Sequence, residues 1–154
     1  MLTRARWTHL ALPVGNIDRT IEFYTELTPL VVVARNEDGA GRGAWLSNEK
    51  EPEAPFVLVV TEFYEDGAKR YGLTRGEPVP ILQPFAHIGI ELPTKEDVDA
   101  VAERAREMGV LHWEPRQMAE HIGYICAARD PDGNVVEFSF NQKVHSTIES
   151  LWGS

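Results

Sequence analysis

Two histidines and a glutamate, all of metal-ligand type, stand out in this chain: the histidines are 78 positions apart and open the same pattern, and the glutamate follows the second by 50. His9 lies in WTHLAL, His87 lies in FAHIGI, and Glu137 lies in the apolar stretch VVEFSF. Each histidine stands in a short strand pattern that precedes an amphipathic helix, so the ligand types belong to a repeated unit. Two imidazoles and one carboxylate leave positions on an ion open for water or substrate, as in non-heme iron(II) oxygenases. The spacing therefore predicts a divalent-metal site formed by His9, His87 and Glu137.

Strand parity supports the convergence of His87 and Glu137, because alternate side chains of a strand point to opposite faces. His87 lies opposite an apolar set formed by Ala86, Ile88, Ile90 and Leu92. Glu137 likewise lies opposite an apolar set, formed by Val136, Phe138 and Phe140. This division predicts a sheet with helices on one side and a polar site on the other.

A simpler interpretation is that both histidines are strand residues satisfied by hydrogen bonds, and that Glu137 is an exposed carboxylate. The repeat and the matching parity favour metal binding over this interpretation. The place in the first half that corresponds to Glu137 is Val59, and the nearest carboxylate, Glu62, has the opposite parity. We therefore expect three protein ligands.

The turn Asp130–Gly133 (DPDG) fits a type I turn between the last two strands. If residues 130 and 133 pair across it, Cys126 lies opposite Glu137 and Tyr124 lies opposite Ser139. This register predicts that Tyr124 shares the face of Glu137.

Both halves are predicted to run strand, helix, strand, strand, strand. The first half gives strands at Trp7–Leu12, Leu30–Arg35, Gly43–Ser47 and Phe56–Thr61, with a helix at Ile17–Leu27 after the N-cap Asn16. The second gives strands at Phe85–Leu92, Val110–Trp113, Tyr124–Ala128 and Val135–Phe140, with a helix from the capping box at Thr94 to Met108. We expect one domain over residues 1–154, with module one at about 5–63, a connecting arm at about 64–84, module two at about 85–141 and a tail at about 142–154. The tail either docks on a neighbour or frays.

Composition excludes several classes of protein. The net charge of −9 opposes binding to nucleic acid, and no apolar run has the length of a membrane span. The single cysteine, Cys126, permits neither an internal disulfide nor a thiolate zinc cluster. The start of the chain, MLTRARW, lacks the apolar core of a signal peptide, and the cytoplasm is the expected compartment.

The chain resembles the vicinal oxygen chelate superfamily, which includes glyoxalase I, extradiol dioxygenases, fosfomycin-resistance proteins and bleomycin-binding proteins. The resemblance lies in WTHLALPVGNIDRTIEFY from Trp7, FAHIGIEL from Phe85 and DPDGNVVEF from Asp130. It implies an α+β fold of two tandem βαβββ modules, whose sheets form a cupped, open-barrel-like structure around a divalent metal with helices on the outer face. His9, His87 and Glu137 match the ligand places of the family.

The resemblance also guides the choice of reaction. Val59 occupies the place where glyoxalase I usually carries a fourth ligand, a glutamate, and this departure favours a triad like that of the extradiol dioxygenases. The tyrosine of the dioxygenase signature is replaced by Ala127. His121 and Tyr124 lie nearby and are the substitutes we consider, His121 as acid/base and Tyr124 as a donor to bound oxygen. The alternative interpretation has equal weight: His121 is an ordinary loop residue, and Tyr124 is a residue that packs in the interior of the cup.

The favoured hypothesis is a metal-dependent enzyme acting on a small substrate chelated through vicinal oxygens, with extradiol cleavage of a catechol as its sharpest form. Fe(II) is the favoured metal, with Mn, Zn, Ni and Co as alternatives. A second hypothesis is glyoxalase or epimerase chemistry, for which Glu62 or Glu91 would serve as base. A third is a metal-free drug-binding protein whose aromatic cleft is formed by Trp7, Trp45, Trp113 and Tyr124. Small sheets leave exposed edges and family members commonly pair their modules, so we expect a homodimer.

Overall fold

The computed structural model of this protein describes residues 7–48 and 56–153. The chain divides into two compact units, Met1–Ile81 and Leu82–Ser154. Each unit contains one four-stranded mixed sheet, and neither sheet closes into a barrel. The predicted α+β fold with two tandem βαβββ modules is confirmed.

The first unit follows the predicted element order. Its elements are β1 (Leu10–Pro13), α1 (Ile17–Leu27), β2 (Leu30–Asp38), β3 (Gly41–Asn48), β4 (Val57–Phe63) and α2 (Glu65–Arg70). Asn16 caps α1 as expected, because its side chain accepts a hydrogen bond from the backbone N–H of Arg19. The strands are ordered β1-β4-β3-β2, and β1 runs parallel to β4.

The second unit repeats this plan. Its elements are β5 (His87–Glu91), α3 (Lys95–Glu107), β6 (Leu111–Gln117), β7 (Tyr124–Arg129), β8 (Val135–Phe140) and α4 (Lys143–Trp152). Thr94 caps α3 by accepting from the N–H of Asp97, and Gly109 follows the helix at a φ of 72°. The strands are ordered β5-β8-β7-β6, with β5 parallel to β8.

The prediction that residues 64–84 form only a connecting arm is wrong over its first part, where α2 packs against the β2–β3 turn. Gly67 makes this approach possible, since a Cβ there would collide with the carbonyl of Ala40. The N–H of Tyr64 donates to the same carbonyl at 2.8 Å. Gly67, a residue type that usually indicates a break in a helix, is therefore the residue that lets this short helix pack.

The tail, for which the sequence allows either docking or fraying, also has a definite structure. Residues Lys143–Trp152 form α4, so the tail is not a frayed end over that range. None of its residues is buried, and its exposed side chains include Val144, Ile148, Leu151 and Trp152. No helix in the described part of the chain is long and apolar enough to cross a membrane.

Candidate metal centre

The two faces of the second sheet are distinguished by their contacts with α3. The thiol of Cys126 approaches the carbonyl of Val98 on α3 at 3.6 Å, and Cys126 pairs with Phe138 across β7 and β8. These side chains therefore lie on the side of the sheet that packs against the helix. Glu137, the next residue along β8, points to the opposite face, which we call the ligand face. His87 and Gly89 lie on this face too, because they pair with Val135 and Glu137.

His87 and Glu137 are brought together on the ligand face. The Nε2 atom of His87 lies 3.8 Å from Oε2 of Glu137. Two atoms that bind one ion at about 2.1 Å are roughly 3 to 3.5 Å apart, so the observed separation suits a shared ion with a small adjustment. The side chain of Glu137 is only 7% exposed, and that of His87 is 27% exposed. The pair is thus shielded on the carboxylate side and accessible on the imidazole side.

Hydrogen bonding leaves the correct nitrogen of His87 available for a metal. Nδ1 lies 2.6 Å from the backbone carbonyl of Phe85, which can only accept. Nδ1 therefore carries a proton, and in the neutral ring this tautomer would leave the Nε2 lone pair for an ion shared with Glu137. Metal-binding histidines commonly donate their second nitrogen to a carbonyl in this way. The donor set fits a divalent ion.

Glu137 is flanked on the sheet by two of the smallest residues. Gly89 pairs with it from β5 and Ala127 pairs with it from β7. A Cβ added at Gly89 would meet nothing within 4 Å. Open space therefore lies beside the carboxylate on the ligand face.

The third predicted ligand, His9, belongs to the first unit. It lies immediately before β1, is exposed, and has its Nδ1 2.9 Å from the hydroxyl of Thr8. In neither unit do three His, Cys, Asp or Glu side chains of residues 7–48 and 56–153 form a group that could hold a metal. His87 and Glu137 are the two predicted ligands that share a unit.

Strand register places Val59 where the repeat predicts it. Val59 pairs with Ala11 across β4 and β1, as Glu137 pairs with Gly89 across β8 and β5. The first unit thus has an apolar residue at the place that corresponds to Glu137.

Glu62 lies on the other face of β4 from Val59, as its parity predicted. Its Oε2 accepts from the N–H of Ile17 at the start of α1 at 2.8 Å and from the guanidinium of Arg42 at 2.9 Å. The hydrogen bond with Glu62 raises the pKa of Arg42, and Asp18 contributes to the same ion pair. Glu62 therefore fastens α1 to the sheet, and this contact accounts for a carboxylate that the sequence offered as a fourth ligand or base.

The predicted register of the last hairpin is wrong by one residue. Tyr124 pairs with Phe140 and Ala127 pairs with Glu137, instead of Tyr124 with Ser139 and Cys126 with Glu137. The type I turn does form, because the N–H of Gly133 donates to the carbonyl of Asp130. However, Gly133 has a φ of 89° and adds a bulge, so Asp130 pairs with Asn134.

This shift moves Tyr124 away from the predicted site face. Its hydroxyl donates to Asp99 of α3 at 2.6 Å, and the Lys95 ammonium lies 4.5 Å from its ring centroid. The hydrogen bond to Asp99 raises the pKa of Tyr124 to about 12. The expectation that Tyr124 joins the ligand face is therefore wrong, since the side chain packs on the helix side of the sheet.

His121 lies in the exposed loop between β6 and β7. Its carbonyl accepts from the N–H of Lys143 at 3.2 Å, which joins this loop to the turn that follows β8. The same turn carries Gln142, whose Nε2 donates to Oε1 of Glu137 at 3.1 Å. Sequence reasoning missed Gln142 because it falls in the tail, beyond the strand whose parity located Glu137.

Another polar feature of the second unit is a cavity of about 440 Å³ at the end of β5. It is lined by Glu91, Leu92, Pro93, Phe140, Asn141 and His145. Glu91 pairs with Ser139 and therefore lies on the ligand face, on the same strand as His87. Of the two carboxylates predicted as a base, Glu91 is the one on the face of Glu137.

The aromatic residues of the predicted cleft are divided between the units. Trp45 pairs with Val59 in the first unit, and Trp113 pairs with Ala127 in the second. Trp113 therefore shares the ligand face with Glu137, whereas Tyr124 does not.

Comparison with known proteins gives a consistent result. The Glyoxalase/Bleomycin resistance protein/Dioxygenase superfamily profile matches residues 6–138. An uncharacterized protein of Pseudomonas aeruginosa is 32% identical over 145 residues, covering 94% of each chain. A probable lactoylglutathione lyase of Vibrio cholerae is 25% identical, covering 96% of this chain and 99% of that protein. A fosfomycin resistance protein, FosX of Listeria monocytogenes, solved with Mn(II) and a dihydroxypropylphosphonic acid, matches at a TM-score of 0.65 with 14% identity, covering 92% and 96% of the two chains. The last likeness concerns the fold alone.

Proposed function

Because the chain belongs to the Glyoxalase/Bleomycin resistance protein/Dioxygenase superfamily, we propose that it is a metal-dependent enzyme acting on a small substrate that is bound through two adjacent oxygens. His87 and Glu137 would hold the ion together with His9 from the first unit. The observation that carries this proposal is the 3.8 Å approach of the His87 Nε2 atom to the Glu137 carboxylate, with the other ring nitrogen held by a carbonyl.

The residues have separate roles in this proposal. A divalent ion supplies Lewis acidity and a template for two substrate oxygens. The ligand face binds the substrate in the space beside Gly89 and Ala127, and the burial of Glu137 excludes water from one side of the pair. His121 stands in a loop joined to the turn beside Glu137, and we propose it as the proton donor and acceptor.

Metal binding is tested first. Protein purified without chelator or affinity tag should contain one equivalent of a divalent metal, or should bind one in calorimetry. His87→Ala and Glu137→Ala should abolish this binding, because two ligands cannot replace three. His112→Gln is the matched control, since His112 lies on β6 and is not a proposed ligand. If the wild-type protein binds no metal, the proposed metal-dependent enzyme is excluded and the hypothesis of a metal-free binding protein is favoured.

Extradiol cleavage of a catechol by the Fe(II) form is the first candidate reaction. Val59 favours it, because an apolar residue at the fourth place leaves three protein ligands, the number found in non-heme iron(II) oxygenases. Protein loaded with Fe(II) without oxygen, then given a catechol and oxygen, should form a yellow ring-opened product. His121→Ala should lower kcat more than it lowers metal affinity. The absence of product across monocyclic and bicyclic catechols would exclude this reaction.

A lyase or isomerase reaction is the second candidate, and the probable lactoylglutathione lyase of Vibrio cholerae is the observation that favours it. Glu91 would then act as the base, because Glu62 is held between α1 and Arg42. Anaerobic turnover of the hemithioacetal of methylglyoxal and glutathione with Ni, Co or Zn would support this reaction. Glu91→Gln should abolish that turnover and leave metal affinity unchanged.

A further inference from the structure

We propose that Gln142 is a positioning residue for the metal-binding carboxylate of Glu137, and that its amide hydrogen bond raises the affinity of the metal site. This inference rests on the proposed function. Gln142 lies outside residues 6–138, the part of the chain that matches the superfamily profile. The family profile therefore assigns no role to Gln142.

The first step is that the two carboxylate oxygens of Glu137 have different neighbours. Oε1 accepts from the Gln142 amide at 3.1 Å, while Oε2 lies towards His87. A carboxylate with one oxygen held by a neutral donor has a fixed orientation and keeps its second oxygen available for an ion. Because Glu137 is buried, solvent water is a poor substitute for this donor.

The second step concerns the place of Gln142 at the start of α4. It is the N-cap residue of the helix, yet its side chain makes no capping hydrogen bond. Glutamine is also outside the set of preferred N-cap residues, which are Asn, Asp, Ser and Thr. The side chain at this position is therefore directed to Glu137 instead of to the helix.

The third step is the turn that delivers Gln142. Asn141 has a φ of 59°, the left-handed conformation, and reverses the chain directly after β8. The loop before β7 packs closely against this turn. The His121 carbonyl accepts a hydrogen bond from the N–H of Lys143. Gly123 lies so close to the carbonyl of Phe140 that a Cβ at this position would collide with it. The position of the amide is thus set by backbone contacts at both ends of the turn.

The test measures Mn(II) affinity by calorimetry in Gln142→Leu and Gln142→Asn. Both should bind Mn(II) about 10- to 100-fold more weakly than the wild type, the usual effect of losing a group that orients a metal ligand. Gln117→Leu is the matched control, because the side chain of Gln117 donates to the neighbouring carbonyl of Met118, and this substitution should leave Mn(II) affinity unchanged.

The asparagine variant separates positioning from helix capping. Asparagine is the better N-cap, so a capping role predicts an unchanged or higher melting temperature and unchanged Mn(II) affinity. A positioning role predicts an intact fold with weakened binding, because the amide is one methylene too short to reach Glu137. Wild-type affinity in Gln142→Asn would overturn the inference, as would wild-type affinity in Gln142→Leu. The failure of the wild type itself to bind Mn(II), Fe(II) or Zn(II) would instead overturn the proposed function.

Discussion

At the scale of single residues, the two sides of the second sheet assign different roles to polar groups of similar chemistry. Glu137 is held by Gln142 and faces His87 on the ligand face. Tyr124 is held by Asp99 on the helix side. The first arrangement leaves an oxygen for a ligand, whereas the second ties a hydroxyl into the packing of α3.

Replacement of Tyr124 by Phe should therefore affect stability and not metal binding. The loss of its hydrogen bond to Asp99 should lower the free energy of unfolding by about 1 kcal/mol at pH 8. The folded-state pKa of Tyr124 is raised to about 12 from an ordinary value of 10. The stabilisation is thus fully present below pH 10 and is lost as the pH rises through 12.

Urea denaturation of wild type and Tyr124→Phe across this pH range measures the difference, which should disappear at the alkaline end. Mn(II) affinity should match that of the wild type throughout. A large loss of Mn(II) affinity in Tyr124→Phe would contradict this assignment and would indicate that Tyr124 contributes to the metal site.

The ligand types could be predicted from the sequence, but their supporting contacts could not. His87 and Glu137 stand out because strand parity sets them against apolar neighbours, and parity needs only the local sequence. The carbonyl of Phe85 and the amide of Gln142 carry no such pattern. Their roles depend on a ring orientation and on a left-handed turn at Asn141.

At the scale of elements, one glycine accounts for the one-residue difference between the predicted and the observed register of β7 and β8. The turn at Asp130 was predicted correctly, yet the left-handed Gly133 adds a residue to the loop and shifts every pair between β7 and β8. Because side chains alternate, a shift of one residue moved Tyr124 to the opposite face. Helix α1 could be predicted to its ends, since Asn16 caps it and Thr28 and Pro29 end it.

The pairing of β5 with β8 predicts that Gly89 controls access to Glu137. Gly89→Leu should fold, because its Cβ meets no neighbouring atom, and its side chain should fill the space beside the carboxylate. We expect turnover of the substrate to fall at least tenfold while the free energy of unfolding changes by less than about 1 kcal/mol.

Gly39→Leu is a suitable control, since a Cβ at Gly39 in the first unit also meets nothing within 4 Å. Steady-state kinetics and thermal unfolding measure the two effects. Unaltered kcat/KM in Gly89→Leu would show that substrate does not use this space.

At the scale of the whole molecule, the repeat has kept its architecture and diverged in its chemistry. Both sheets share one strand order and both have a parallel outer pair. Val59 and Glu137 occupy the same place in this plan, so only the second unit offers a carboxylate there. The spacing of His9 and His87 made the plan recognisable from the sequence, since each precedes or opens the first strand of its module.

We propose that the protein is a homodimer. Each four-stranded sheet has two edge strands, and α4 exposes Ile148, Leu151 and Trp152 at 44%, 65% and 77%. Such apolar exposure favours burial against a second copy. Light scattering at micromolar concentration should give twice the chain mass of 17.3 kDa, and Leu151→Glu should shift the protein towards monomer. A monomeric wild type would contradict the proposal.

The most direct measurement of the central claim is an anomalous-scattering map from crystals of the full chain grown with Zn(II). The account predicts one strong peak about 2.0 to 2.2 Å from Nε2 of His87, a carboxylate oxygen of Glu137 and a ring nitrogen of His9. A map without a peak at His87 and Glu137, or with a peak there that His9 does not contact, would contradict it.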